Sequence, residues 1–209
     1  MDRRALVCII LFTVLVADQA LKVWVKTHLA YGEEFGLFGA DRALIHFVEN
    51  NGMAFGLSLG GRAGKLGLSL FRILAVVALG YYLWGLLRQR APRLLLAAFA
   101  CIEAGAAGNI IDSVFYGRLF SASSPHGGVA TFLPPDGGYE DFFHGRVVDM
   151  LYFPLFYGVY PDWLPLVGGR SFLFFRPIFN IADVAITVGV VLLLAHYYLG
   201  RDRTDVTAA

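Results

Sequence analysis

A chain of 209 residues with 57% hydrophobic residues, 16% charged residues and a mean hydropathy of +0.63 is too apolar for an ordinary soluble domain. The formal net charge of +1 provides no global field, so no nucleic-acid partner is expected. Cys8 and Cys101 lie far apart in apolar runs and read as packing residues, and without a CxxC or HExxH pattern no metal or cofactor is expected.

Four segments reach the roughly 20 apolar residues that a bilayer crossing requires. They are Ala5–Val25, Leu66–Leu87, Leu94–Phe115 and Ile178–Leu199. The expected fold class is therefore integral membrane α-helical: four transmembrane helices in a single membrane-embedded domain over 1–209, with outer loops at about 28–65 and 116–177. The first segment, with Arg3 and Arg4 ahead of it and Leu15-Val16-Ala17 inside it, also resembles a cleavable signal peptide. Its apolar character continues through Leu21, Val23, Trp24 and Val25 without a break, so it is expected to be retained as a span.

Orientation follows from the basic flanks. Arg3 and Arg4 precede span one, Arg88, Arg90 and Arg93 join spans two and three, and Arg201 and Arg203 follow span four. All three clusters fall on one side, which places both termini in the cytoplasm and both long connections outside. On this topology Asp18, Lys22, Arg72, Asn109, Asp112, Asn180 and Asp183 all gather at the outer boundary, beside Asp149 of the second connection. A charged side chain in the hydrocarbon costs about 2.5–3.5 kcal/mol on insertion scales, so each must be compensated. Singly, each has a plain structural explanation: Asp18 and Lys22 are i and i+4 and can neutralise one another, Arg72 can extend toward headgroups, and Asp112 can face water at a span end. Their convergence at one depth favours a site. Glu103, near mid-span, is the exception.

The first outer connection holds the β-prone run Leu44–Asn50 followed by an Asn51-Gly52 turn signal, which predicts a small extracytoplasmic β-containing platform on the membrane surface. His46 reads there as a solvated strand residue. The second connection begins with a Ser/Gly/Pro-rich stretch, Ser121 to Gly138, that reads as flexible loop. Aromatic residues from Phe142 to Phe175 follow, and such residues favour the headgroup zone.

Peptide hydrolysis without a metal or a nucleophilic side chain needs an activated water and a polarised carbonyl. Two carboxylates a few ångströms apart supply both, because like charges cannot both ionise and one proton is shared. Asp149 and Asp183 are the candidate pair, and Asn50, Asn109 and Asn180 offer neutral amides to orient them. Ser113, Ser121, Ser123, Ser124 and His126 lack a GxSxG context or a Ser/Lys pairing. An ion relay through Asp18, Glu103, Asp112 and Asp183 would place polar groups along a through-path, often with repeat symmetry. Here they gather on one side and no repeat is visible. A non-enzymatic scaffold would leave both aspartates without a role.

The series Asp18-Gln19-x-x-Lys22, Asn50-x-Gly52-x-Ala54-Phe55, Gly108-Asn109-x-x-Asp112, Val147-Val148-Asp149 and Phe179-Asn180-x-Ala182-Asp183 resembles the lipoprotein signal peptidase family, signal peptidase II. The resemblance implies an aspartic endopeptidase of the bacterial plasma membrane. It would cut prolipoproteins just before a diacylglyceryl-modified lipobox cysteine and be inhibited by globomycin. It makes Asp149 and Asp183 the catalytic pair. Asp18, Lys22, Asn50, Gly52, Asn109, Asp112, Asn180 and Ala182 become residues that shape or line the site. Separately, a monomer embedded in membrane lipid is expected. The pattern departs in three places. Ser113 stands where the family usually has an arginine after the Gly-Asn-x-x-Asp aspartate, with Arg118 and Arg146 as candidate replacements. The segments from Asp112 to Asp149 and from Asp149 to Asp183 are longer than expected. Leu21 and Met53 replace residues that are usually smaller or polar.

Overall fold

A computed structural model describes residues 1–51, 61–125 and 128–206, with side chains through Leu199. Gly52, Met53, Ala54, Phe55 and His126 lie outside the described residues. Helix α1 (Arg3–His28) starts at Asp2, whose carboxylate accepts the Arg4 N–H at 3.1 Å and satisfies one of the orphan donors of a helix start. Toward its C-terminal end its inward face is largely polar: Asp18, Lys22 and Lys26 are buried beside Val25, while Phe12, Val16 and Trp24 are exposed. That is the reverse of a soluble amphipathic helix and is what a lipid environment demands.

A short strand β1 (Glu34–Gly36) pairs antiparallel with β2 (Leu44–Asn50). Helices α2 (Gly61–Arg88) and α3 (Arg93–Ile111) follow. Helix α3 continues through a π-helical turn, Asp112–Tyr116, into a last turn α4 (Gly117–Leu119). Strand β3 (Val147–Tyr152) leads to a separate two-stranded ribbon, β4 (Phe156–Val159) and β5 (Ser171–Phe174). Strand β6 (Ile178–Phe179) then runs into α5 (Ile181–Val206). Four helices are long and apolar enough to cross a membrane: Arg3–His28, Gly61–Arg88, Arg93–Leu119 and Ile181–Leu199.

These bounds differ from the hydropathy reading at both ends of span one, by two to three residues, and more tellingly elsewhere. Span two begins at Gly61, span three extends to Leu119, and Ile178–Phe179 is strand, because an apolar edge strand and an apolar helix start are equally hydrophobic. The Ser121–Gly138 stretch is not a free loop at its edges. The Ser121 N–H donates to Thr131 O at 3.0 Å, and the Leu133 N–H donates to Leu119 O at 2.7 Å.

Helix α3 is the central post, and α5 lies close against it because α3 presents glycines. A Cβ on Gly105 would collide with the Ala182 carbonyl and sit 2.7 Å from Ile186 Cγ1; one on Gly108 would sit 2.8 Å from Asp18 Oδ2. Small residues at such contacts let membrane helices pack backbone to backbone. At the end of the helices that carries the sheet, the order is β1-β2-β3-β6, all antiparallel. Val25, Leu29, Ile45, Phe47, Tyr116, Phe120, Val148 and Met150 form one core beneath it. Because strand residues alternate faces, Val148 and Met150 join this core while Val147 and Asp149 face the opposite way. A second apolar cluster, including Val7, Leu83, Leu86 and Leu96, closes the other end of the helices.

Candidate active site

Asp183 belongs to the first turn of α5, where Asn180 and Asp183 cap one another. Asn180 Oδ1 accepts the Asp183 N–H at 2.9 Å, and Asp183 Oδ2 accepts the Asn180 N–H at 3.3 Å. This is the reciprocal arrangement of a capping box, and the helix N-terminus stabilises negative charge placed there. Asp149 is carried by β3. Its Oδ1 accepts from Asn180 Nδ2 at 2.7 Å and its Oδ2 accepts from Asn50 Nδ2. Asn180 Nδ2 also donates to Asn109 Oδ1 at 3.0 Å, and Asn109 Nδ2 donates to Asp183 Oδ1 at 2.9 Å. The two carboxylates are thus joined by two amides, Asp149 to Asn180 to Asn109 to Asp183, with no charge in the link. Burial first, and the neighbouring Asp183 charge second, push Asp149 up to about 7, against the pull of its amide donors.

Behind this pair lies a fully buried ionic cluster. The Lys22 ammonium has three partners for its three N–H bonds: Asp18 Oδ2 at 2.9 Å, Asp112 Oδ2 at 2.8 Å and Asn109 Oδ1 at 2.9 Å. The two aspartates hold backbone as well as the lysine. Asp18 Oδ1 accepts the Ala182 N–H at 2.9 Å, and Asp112 Oδ2 accepts the Val148 N–H at 3.2 Å. Each of those amides belongs to the residue just before a member of the carboxylate pair. The cluster therefore fixes the β3 and α5 segments relative to α1 and α3. Ala182, fully buried, contributes its N–H and a methyl small enough to face Gly108.

The carboxylates open into a cleft of about 600 Å³. Its polar end is Asn50, Asn109, Asp149 and Asp183. Its apolar flanks, Leu79, Ile102, Ala106 and Ile186, continue between α2, α3 and α5 away from the sheet. Arg72 is in the cleft lining, in keeping with the convergence at one depth and not with its plain structural explanation of a side chain extended toward headgroups.

Of the residues singled out from sequence, Asp18, Lys22, Asn50, Asn109, Asp112, Asp149, Asn180, Ala182 and Asp183 are brought into this one constellation, and Gly52 lies outside the described residues. Neither candidate arginine replaces the family's usual cation at Asp112. Arg118 faces Asp141 at 3.8 Å and the Phe142 ring, and Arg146 faces Glu49 at 3.4 Å and the Tyr139 ring. The cation at Asp112 is Lys22. Ser113 Oγ donates back to Asn109 O at 3.0 Å within the helix. His46 pairs across strands with Glu34. Cys8 lies on an exposed face of α1 and so is not a packing residue. Glu103 stands apart, its Oε2 buried without a hydrogen-bond partner among the described residues.

Two groups were missed. Gln19 sits inside the Asp18 motif yet had no assigned role; its Nε2 donates to Asp18, Asp112 and Gly108 O, and its Oε1 accepts from Tyr116 Oη. Lys26 forms a second buried ion pair, with Glu49, and donates to Ser123 Oγ at 2.9 Å. The signal for Lys26 was present: positions 18, 22 and 26 share one helical face.

Fold and site together define a multi-pass membrane protein with a paired-carboxylate site where its helices meet a small sheet. Residues 10–199 match the family model described as signal peptidase (SPase) II. The chain is 51% identical over 192 residues to a lipoprotein signal peptidase of Porphyromonas gingivalis, covering 91% of this chain and 82% of that one. It is 36% identical over 185 residues to the lipoprotein signal peptidase of Amoebophilus asiaticus, covering 86% and 72%. A solved bacterial membrane enzyme, determined in meso at 1.9 Å, shares the fold with a TM-score of 0.59 at 24% identity, covering 91% of each chain. The chain belongs to the signal peptidase II family.

Proposed function

We propose that this chain is an aspartic endopeptidase of the bacterial plasma membrane that removes the signal peptide of prolipoproteins just before a diacylglyceryl-modified lipobox cysteine. The observation that carries this reading is the pair Asp149 and Asp183, bridged by Asn180 and Asn109 and open to an apolar cleft between helices. It works as a monomeric single domain, with both termini cytoplasmic and the pair at the outer face. Globomycin blocks it by filling the cleft.

Asp149, raised to about 7, holds the shared proton and donates a hydrogen bond to the scissile carbonyl oxygen. Asp183, at the helix N-terminus, takes a proton from a water lying between the two carboxyls. The resulting hydroxide attacks the carbonyl carbon. As the tetrahedral intermediate collapses, the C–N bond breaks and Asp183 returns its proton to the departing cysteine amine. Asn50, Asn109 and Asn180 hold the pair without adding charge, and Asp18, Lys22, Asp112 and Ala182 hold the backbone that carries it. Gly52 joins this supporting set through the family pattern. The acyl chains on the cysteine lie along Leu79, Ile102 and Ile186.

The test is incubation of the purified protein with a diacylglyceryl-modified prolipoprotein. Cleavage is expected before the modified cysteine and is expected to stop with globomycin. Asp149→Asn and Asp183→Asn are each expected to insert and fold but not cleave. Near wild-type turnover by either variant would overturn the assignment.

A further inference from the structure

We infer that the β4–β5 ribbon is a lipid-inserting element, its tip around Trp163 and Leu166 seated in the headgroup and upper acyl region of the bilayer. A two-stranded ribbon standing alone in water is marginally stable and needs one polar face. This one has only the hydroxyls of Tyr157 and Ser171: its strand residues, Phe156–Val159 and Ser171–Phe174, include no charged side chain. Phe156 and Phe174 stack on one face at 6.3 Å, and Tyr157 and Val159 stand exposed on the other. At the tip, Trp163 is 78% exposed and Leu166 is 91% exposed. An apolar surface of this kind facing water needs a cover.

The base of the ribbon shows what covers it. Phe153 stacks on Phe179 at 5.7 Å, and Phe175 meets the same ring edge-on at 6.1 Å. Phe179 lies two residues before the first residue of α5, which is within about 7 Å along the chain. The ribbon's aromatic surface is therefore continuous with the start of a membrane-crossing helix, at the depth where tryptophan and tyrosine belts form. Its charges suit the same surface: between residues 153 and 177 the two cations Arg170 and Arg176 outnumber the single carboxylate Asp162. Insertion of a Trp/Leu tip into the first roughly 5–10 Å of the bilayer is the depth at which interfacial elements bury their apolar face. This location does not depend on which reaction the cleft performs.

The full chain is reconstituted in bilayers whose phospholipids carry bromine at defined acyl positions, and its tryptophan emission is compared with that of Trp163→Phe. The difference isolates Trp163 while Trp24 and Trp84 remain as internal references. That component is expected to be lost with bromines near the glycerol end and to resist aqueous iodide. Quenching by iodide together with indifference to bromolipids would overturn the assignment. Leu166→Cys in a Cys8→Ala, Cys101→Ala background, bearing a polarity-sensitive fluorophore, tests the tip with Trp163 intact. Apolar emission supports insertion and water-like emission refutes it.

Discussion

Lys22 is the shared cation of the buried cluster, so Lys22→Met is the most demanding single test of how the site is held. The substitution keeps most of the stem's volume and removes the ion pairs to Asp18 and Asp112 and the hydrogen bond to Asn109. Two buried carboxylates are left facing one another with no positive charge, and breaking a buried pair in this way costs about 3–5 kcal/mol. For a chain of this size, at roughly 2–4 °C per kcal/mol, the melting temperature is expected to fall by about 6–20 °C. Cleavage per folded molecule should also fall, by about 10²-fold, because the Asp18 and Asp112 holds on the Ala182 and Val148 amides relax and the carboxylate pair moves by about 1 Å. Lys26→Met is the control one turn further along the same helix face. It breaks the buried Glu49 pair, which helps hold the β2 register, and should cost comparable stability, yet it leaves both backbone holds in place, so its turnover should fall less than that of Lys22→Met. Thermal unfolding in detergent and single-turnover cleavage at a temperature where every variant is folded give the two numbers. A Lys22→Met protein that melts within about 4 °C of wild type would refute the energetic reasoning. Equal loss of turnover in Lys26→Met would refute the positioning role.

The pH dependence of stability should run opposite to that of an ordinary carboxylate. With Asp149 near 7 in the folded state and 3.8 as its ordinary value, the folded protein binds the extra proton, so this contribution is full below about pH 4 and is lost as pH rises to about 7, about 4 kcal/mol in all. Asp149→Asn should flatten that slope in unfolding curves taken between pH 4 and 8; an unchanged slope would place the proton elsewhere. On the proposed mechanism, in which Asp149 offers its proton to the scissile carbonyl, cleavage by wild type should decline above about pH 7, which a pH–rate profile checks. Glu103→Gln should leave cleavage within about two-fold of wild type, since its carboxyl is not part of the constellation around the pair and changes of this kind remote from the chemistry remove no transition-state contact. A large loss would revive a relay role.

The site was legible in the sequence where polarity is expensive. Asp18, Lys22, Asn109, Asp112, Asn180 and Asp183 announced themselves as polar residues in runs that lipid should keep apolar, and helical spacing placed them at one depth. What the sequence concealed was pairing. Nothing in spacing says that Asp112 reaches Val148 or that Asp18 reaches Ala182, because both are side chain to backbone contacts across 36 and 164 residues. Chain proximity also misdirected the search for a cation at Asp112 toward Arg118, whereas the ammonium arrives from α1. The ribbon was hidden for a different reason: Phe156–Val159 and Ser171–Phe174 show no alternation of polar and apolar residues, the signal by which half-buried strands are recognised. The same continuity of apolar residues merged β6 with span four.

The β2–β3 ladder explains how a rigid frame and a reactive cleft occupy a few residues. Asn50 pairs with Val147, and Val48 with Asp149, and these positions carry the cleft face; Glu49 pairs with Val148 on the other. On that far face Glu49 is fastened by Lys26 and Ser123, and Val148 is packed in the core and held through its N–H by Asp112. Since successive strand residues must point to opposite faces, fastening Glu49 and Val148 leaves Asn50 and Asp149 little choice of direction. A one-residue slip would carry Asp149 into an apolar core and bring Val148 to the cleft. The three buried ion pairs, Lys22 with Asp18 and with Asp112, and Lys26 with Glu49, therefore secure register more than they add net stability, which is the best-attested use of charge in a protein interior.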